Sequence, residues 1–213
     1  MALANKLGIT DDVELTYEEE RISKLAALAL YRDGTLDALT PGTFDTLRQI
    51  NVALFGRIYG FVGKVRTANL AKGSFRFASA PYLHSALKSI KAMSQDAFDH
   101  IVKKYVKMNV AHPFREGSGR SGRIWLDHTL RRELGLTVDW SRIGREDYLL
   151  AMGCSPVRDR EIKALLKDAL SDQLDNFTLL ARCVDASYAY EGYTAYRAED
   201  LMRERDAEDG EDL

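Results

Sequence analysis

Twelve residues carry most of the chemistry legible in this sequence: His112-Pro113-Phe114-Arg115-Glu116-Gly117-Ser118-Gly119-Arg120-Ser121-Gly122-Arg123. They hold one histidine, a carboxylate four residues later, a Gly-Ser-Gly turn and two arginines three apart, and an apolar run, Ile124-Trp125-Leu126, follows. That order describes a loop entering a helix N-terminus. Glycines let successive backbone N–H groups point into one concavity, and the helix dipole adds positive potential, so such a nest binds anions and phosphates above all. Arg120 and Arg123 share one side of the first helical turn and could clamp a polyphosphate. Beside such a nest, His112 suits a general base. Glu116 accepts only when ionised, and next to phosphates its natural task is holding Mg²⁺; capping the helix N-terminus is the plainer alternative.

Other chemistries are excluded by pattern. Gly117, Gly119 and Gly122 spell G-x-G-x-x-G, but a helix and His-Pro precede them where a dinucleotide fold needs a strand. Lys72-Gly73 is not a Walker A lysine, and H-E-x-x-H is absent. His84, His100 and His128 have no ligand-like spacing and read as surface or half-buried residues.

The elements that must position the motif are mostly helical. Thr16 with Glu18, Glu19 and Glu20 marks a first helix start, Ile22, Leu25, Leu28 and Leu30 its apolar face, and Asp33-Gly34 its end. Periodicity predicts further helices over 42–59, from about 81, and over 97–110, 119–134, 146–152, 157–170 and 177–192. The stretch 64–78 alternates around Lys72-Gly73-Ser74 and reads as a short β-hairpin with an unpaired edge, a solvated loop being the other reading.

The chain has 213 residues, 46% hydrophobic, with 30 Lys+Arg against 32 Asp+Glu. That is enough apolar material for one domain with a real core. The balance of −2 argues against a nucleic-acid surface, which needs a basic surplus. Residues 199–213 hold eight acids and two arginines and are expected to fray, so 1–198 is the expected domain. Two cysteines, Cys154 and Cys183, make neither a disulfide framework nor a thiolate metal site. The opening residues lack the apolar core of a secretory signal, and no apolar run reaches the ~20 residues that span a bilayer. A cytoplasmic protein without membrane contact is the expectation.

The twelve residues resemble the Fic family signature H-P-F-x-[D/E]-G-N-G-R-x-x-R. His112, Pro113, Phe114, Glu116, Gly117, Gly119, Arg120 and Arg123 fit, and Ser118 stands where the family has asparagine. The resemblance covers roughly 15–195 and implies an all-α fold, a Fic-domain helical bundle with a short β-hairpin flap. A second stretch, Ser187-Tyr188-Ala189-Tyr190-Glu191-Gly192, is similar to the family's S-x-x-x-E-[G/N] inhibitory motif and points to the single-domain subclass with a C-terminal inhibitory helix, about 177–192.

The resemblance implies protein adenylylation: AMP passes from ATP to a Tyr, Ser or Thr hydroxyl of a target protein. His112 would take the hydroxyl proton and Glu116 would hold Mg²⁺. Gly117, Ser118, Gly119 and Arg120 would bind phosphate through their N–H groups, and Arg120 and Arg123 the β/γ-phosphates. Glu191, with Ser187, would pair Arg123 and inhibit. The flap, through Asn69, Lys72, Gly73 and Phe75, would align the target by strand addition, and Tyr188 is a candidate for self-modification. The ATPase subunits of DNA gyrase and topoisomerase IV, modified by related single-domain toxins, are the first targets the resemblance suggests, and self-association is a habit of the subclass. Ser118 keeps a second reading open, a catalytically weakened nucleotide-binding interaction module. A kinase on the same fold is disfavoured, because Gly119-Arg120 lacks the lysine of the Doc-like branch.

Overall fold

A helix enclosed on all sides must satisfy its polar residues inside the protein. The helix that carries the arginine pair is of this kind: every residue from Arg120 to Leu130 is buried. The computed structural model describes residues 2–73 and 75–211, the last four of these by backbone alone. In chain order the helices are α1 (Asp12–Arg32), α2 (Phe44–Phe55), α3 (Leu83–Lys91), α4 (Phe98–Ala111), α5 (Ser118–Leu134), α6 (Arg145–Cys154), α7 (Arg160–Asp168), α8 (Phe177–Ala189) and α9 (Ala198–Glu211). Helices α2 and α4 pack directly on α5, α8 also reaches it, and α1 lies across α2, α8 and α9. The all-α expectation holds. Among the described residues, no helix is long and apolar enough to cross a membrane.

The expected hairpin is present. Strand β1 (Ala71–Lys72) pairs antiparallel with β2 (Phe75–Arg76), Lys72 opposite Phe75, and Gly73 turns the corner at φ +58°. Met1, Ser74 and the last two residues of the chain lie outside the described residues. A second antiparallel pair, β3 (Thr137–Val138) with β4 (Leu170–Ser171), was not expected, because two-residue strands leave no periodic trace.

Several boundaries move for identifiable reasons. Helix α1 starts ahead of Thr16, because the Asp11 carboxylate accepts from the N–H groups of Val13 (2.9 Å) and Glu14 (2.8 Å) and forms the cap. Glu19 and Glu20 are therefore not first-turn acids but buried mid-helix residues. Helix α2 is shorter than 42–59: Gly42 is left-handed and the Thr43 hydroxyl caps Thr46 N–H at 3.1 Å. Helix α7 begins only at Arg160, leaving Val157 exposed. Helix α8 ends at Ala189, so Glu191 sits in the turn beyond it. His128 is fully buried, its Nε2 3.2 Å from the Leu39 carbonyl oxygen. The acidic tail does not fray where expected: it is helical through Glu211, docked through buried Ala198 and Leu201 and an Arg32–Asp206 ion pair of 2.7 Å.

Asp127, one of the buried polar residues of α5, ties the second strand pair to the core. Its carboxylate accepts from Trp140 Nε1 (2.7 Å), Val138 N–H (3.0 Å) and Thr137 Oγ1 (3.3 Å). Burial nevertheless pushes its pKa up to about 6. Replacing Asp127 by alanine strands these donors and should lower the unfolding free energy by about 3 kcal/mol in a denaturant titration. The native state holds the proton more tightly than the unfolded chain, whose carboxyl titrates at the ordinary 3.8. The wild type's advantage over Asp127→Ala should therefore be fully present below pH 3.8 and be lost as pH rises through about 6. A pH-independent difference would contradict this assignment.

Candidate active site

The motif loop is stiffened from both ends. His112 caps α4 in a left-handed conformation (φ +46°), unusual for a residue with a side chain. Arg66 holds it there. The Arg66 guanidinium donates to the carbonyls of His112 (2.8 Å), Ala111 (3.2 Å), Ala68 (2.6 Å) and Ala78 (2.5 Å), and its own N–H donates to the Pro113 carbonyl (2.8 Å). One buried cation thus joins the last carbonyls of α4 to both arms of the hairpin. On the other side, Asn51 of α2 donates to the Glu116 carbonyl and to Ser121 Oγ, each at 3.1 Å. Gly117 enters α5 at φ +72°, where a Cβ would overlap the Phe55 ring.

Ser118 closes the loop on itself. Its hydroxyl accepts from Phe114 N–H at 3.1 Å and donates to the Phe114 carbonyl at 3.2 Å. Gly117 brings no side-chain cap to α5, so the first N–H groups of that helix are left for an external acceptor. They open on a cavity of about 530 Å³ lined by His112, Glu116, Gly117, Ser118, Gly119, Arg123 and Glu191, with Lys72, Phe75 and Phe77 of the hairpin above. Leu149, Met152 and Tyr148 of α6 form an apolar wall opposite.

His112 stacks on Phe77, ring centroids 3.7 Å apart. Burial lowers its pKa to about 4, and Arg66 and Lys72 push the same way. The imidazole is therefore neutral at pH 7 and able to take a proton. Glu116 accepts from Gly117 N–H and Arg120 Nη2 through one oxygen, Oε1, both at 2.8 Å. Burial raises its pKa, against the pull of Arg120.

The two arginines part company. Arg123 lines the cavity, with Nε on Ser187 Oγ (2.6 Å) and Nη2 on both the Ser187 carbonyl and Glu191 Oε1 (2.7 Å each). Arg120 does not line the cavity, contrary to the expectation that both arginines face a polyphosphate. Its side chain is 0% exposed and ion-paired with Glu19 (2.8 Å), Glu116 (2.8 Å) and Glu191 (3.1 Å). The rings of Phe55 (4.6 Å), Tyr193 (4.3 Å) and Tyr188 (5.3 Å) surround its guanidinium carbon. Burial alone would raise the Glu191 pKa, yet Arg123 and Arg120 together hold it below the ordinary carboxylate range. Gly119 makes this approach possible, since a Cβ there would overlap Glu191 Oε1.

Other expected residues are placed as follows. Lys72 and Phe75 face the cavity; Asn69 instead pins the hairpin base, accepting from Ala80 N–H at 2.8 Å. Tyr188 is 1% exposed, packed in the core beneath Arg120, so the structure does not present it for self-modification. Glu19, Asn51 and Arg66 were not anticipated. Glu19 had a signal, standing four residues after Leu15 and three before Ile22 on the apolar face of α1. Arg66 had none, because its partners are backbone carbonyls.

A helical bundle with a histidine, a helix-N-terminal anion nest and a short hairpin over one cavity is the architecture of a Fic domain. Residues 41–130 match the Fic/DOC family profile, so the chain carries a Fic domain there. It is similar to protein adenylyltransferase VbhT of Bartonella schoenbuchensis, 30% identical over 162 residues, which are 69% of this chain and 32% of that protein. The chain thus spans about a third of that relative's length. It is also similar to the probable protein adenylyltransferase Fic of Salmonella typhimurium, 26% identical over 185 residues, 80% of this chain and 88% of that one. Among solved structures, the BepC protein of Bartonella tribocorum with bound AMPPNP superimposes with a TM-score of 0.64 at 21% identity, over 81% of this chain and 94% of that one. The Fic domain of Bep8 from Bartonella sp. 1-1C gives 0.68 at 18% identity, over 82% and 93%.

The neutral imidazole is directly checkable. In an NMR titration the His112 ring should change protonation near pH 4 rather than at the ordinary 6.5. Its contribution to stability is fully present above pH 6.5 and is lost as pH falls through about 4. A midpoint near 6.5 in the folded protein would contradict the buried, cation-flanked placement.

Proposed function

We propose that the chain is a protein adenylyltransferase held inactive by its own Glu191. The observation that carries this is the juxtaposition in one cavity of a neutral His112, the open N-terminus of α5 and an Arg123 already occupied by a carboxylate. In the reaction, His112 takes the proton from a target hydroxyl as its oxygen bonds to the α-phosphorus of ATP. The bond from that phosphorus to the bridging oxygen breaks, and pyrophosphate leaves. The N–H groups at the start of α5 receive the developing negative charge. Arg123 is the cavity's cation for the terminal phosphate, and the pair it makes with Glu191 competes with that phosphate.

Glu116 suits magnesium. Its Oε1 is fixed by Gly117 and Arg120, its other oxygen has no hydrogen bond among the described residues, and its side chain keeps 26% of its surface open. A magnesium ion held there with phosphate oxygens as its other ligands would neutralise charge on the α- and β-phosphates. The hairpin edge supports target alignment by strand addition, with Lys72 and Phe75 beside the phosphate site. Bacterial ATPase subunits of DNA gyrase and topoisomerase IV are the first targets to try, in keeping with a cytoplasmic toxin.

One observation favours a second reading, a nucleotide-binding module with weakened catalysis: the Ser118 hydroxyl is engaged by Phe114 and offers the cavity no further donor. A single labelling experiment separates the two. With Mg²⁺ and a bacterial lysate, ATP labelled at the α-phosphate should label protein, at least about tenfold more with Glu191→Gly. His112→Ala should remove the signal by about 100-fold or more. Label transferred only from the γ-phosphate would overturn the proposal. Absence of label with Glu191→Gly and Ser118→Asn combined would leave the binding module as the function.

A further inference from the structure

Glu191 is followed by a strap, residues 192–197, that joins α8 to α9. The strap leaves α8 through Gly192 at φ +94°, and Gly192, Thr194, Ala195 and Arg197 are exposed. Tyr193 packs partly buried against the core, and little other apolar surface of the strap is covered. Its far half is held instead by a buried polar cluster on α1, none of which touches the cavity.

Glu20 accepts from the strap's Ala195 N–H (3.1 Å) and Tyr196 N–H (3.2 Å), one on each oxygen. Lys24, one turn later, donates to the Tyr196 carbonyl at 2.6 Å and pairs with Glu20 (3.0 Å) and with Asp185 of α8 (2.8 Å). Asp185 in turn accepts from Ala198 N–H at 3.0 Å, the first residue of α9. Closer to Glu191, the Tyr193 hydroxyl donates to Glu19 at 2.6 Å. Lys24 and Glu20 are each 1% exposed. Charged side chains so enclosed must keep their partners, because losing one leaves a buried charge uncompensated.

We propose that Glu20 and Lys24 are positioning residues for Glu191. By pinning the strap against α1 they limit how far the turn bearing Glu191 can swing from Arg123, and so set how often the cavity is open to a triphosphate. This rests on the reading of Glu191 as an inhibitor. The strap can leave only if the α1 contacts break, since α8 fixes one end and Lys24, Glu20 and Asp185 fix the other. Anything that binds the exposed strap or pulls α9 from α1 acts on the site through these two side chains.

Lys24→Met and Glu20→Gln test this, each alone and combined with Glu191→Gly, with Arg32→Ala as a control that removes the surface pair to Asp206 of α9. Amide hydrogen exchange over residues 191–198 should be at least about tenfold faster in Lys24→Met and Glu20→Gln than in the control, with the exchange of α5 unchanged. Protein labelling from α-labelled ATP should rise toward the level of Glu191→Gly. In the Glu191→Gly background the same substitutions should change labelling by less than about twofold, because the residue they position is gone. Faster strap exchange with no gain in labelling, where Glu191→Gly does gain, would overturn the proposal, as would unchanged exchange in both variants. If Glu191→Gly itself brings no gain, the inhibitor reading fails and the exchange result stands apart from it.

Discussion

Two guanidinium groups enclosed at the start of a central helix set the terms for the rest of this protein. Helix α5 is buried from Arg120 to Leu130, so Arg120 and Arg123 cannot turn to solvent. An enclosed cation needs carboxylates or carbonyls. Three carboxylates answer Arg120, from α1, from the motif loop and from the turn after α8; Glu191 and the Ser187 hydroxyl and carbonyl answer Arg123. Glu191 reaches both arginines, which is why it stays ionised despite its burial. The two arginines and their carboxylates are thus one electrostatic cluster, and in the proposed reaction a phosphate would have to compete with Glu191 for Arg123.

The same need for compensation couples distant elements. Glu19 links Arg120 to Tyr193 on the strap and to the Tyr59 hydroxyl after α2. Arg66 links the hairpin to the C-terminal carbonyls of α4 and so to the backbone of His112. His112, Glu116 and Arg123 lie on different elements, and their relative placement is set by these buried cross-links. The hairpin, a pair of two-residue strands that would be marginal alone, is stable here because Arg66 anchors both arms.

The degree to which this was legible from sequence followed the range of the interactions. The loop-to-helix motif is local, so the sequence groups His112, Glu116, the glycine turn and Arg123, and the structure brings them to one cavity. Helix periodicity placed most elements, with errors at ends decided by single caps such as Asp11 and Thr43. What was missed depends on contacts between segments far apart in sequence. Arg120 was assigned to the phosphate face from its i,i+3 spacing with Arg123, but helical spacing does not say which face meets α1. Arg66 bonds to backbone carbonyls, which any sequence supplies. Glu19 and Glu20 read as acids at a helix start, because nothing local shows that α1 begins earlier and that their partners lie on the strap, and Tyr188, suggested by its place beside Glu191, points into the core.

Glu191 is proposed to occupy the place of a terminal phosphate on Arg123. Calorimetric binding of ATP and of ADP, each with Mg²⁺, to the wild type and to Glu191→Gly tests it without any target protein. The wild type should bind ATP no more tightly than ADP, whereas Glu191→Gly should prefer ATP by at least about tenfold. The same ATP-to-ADP ratio in both proteins would contradict it.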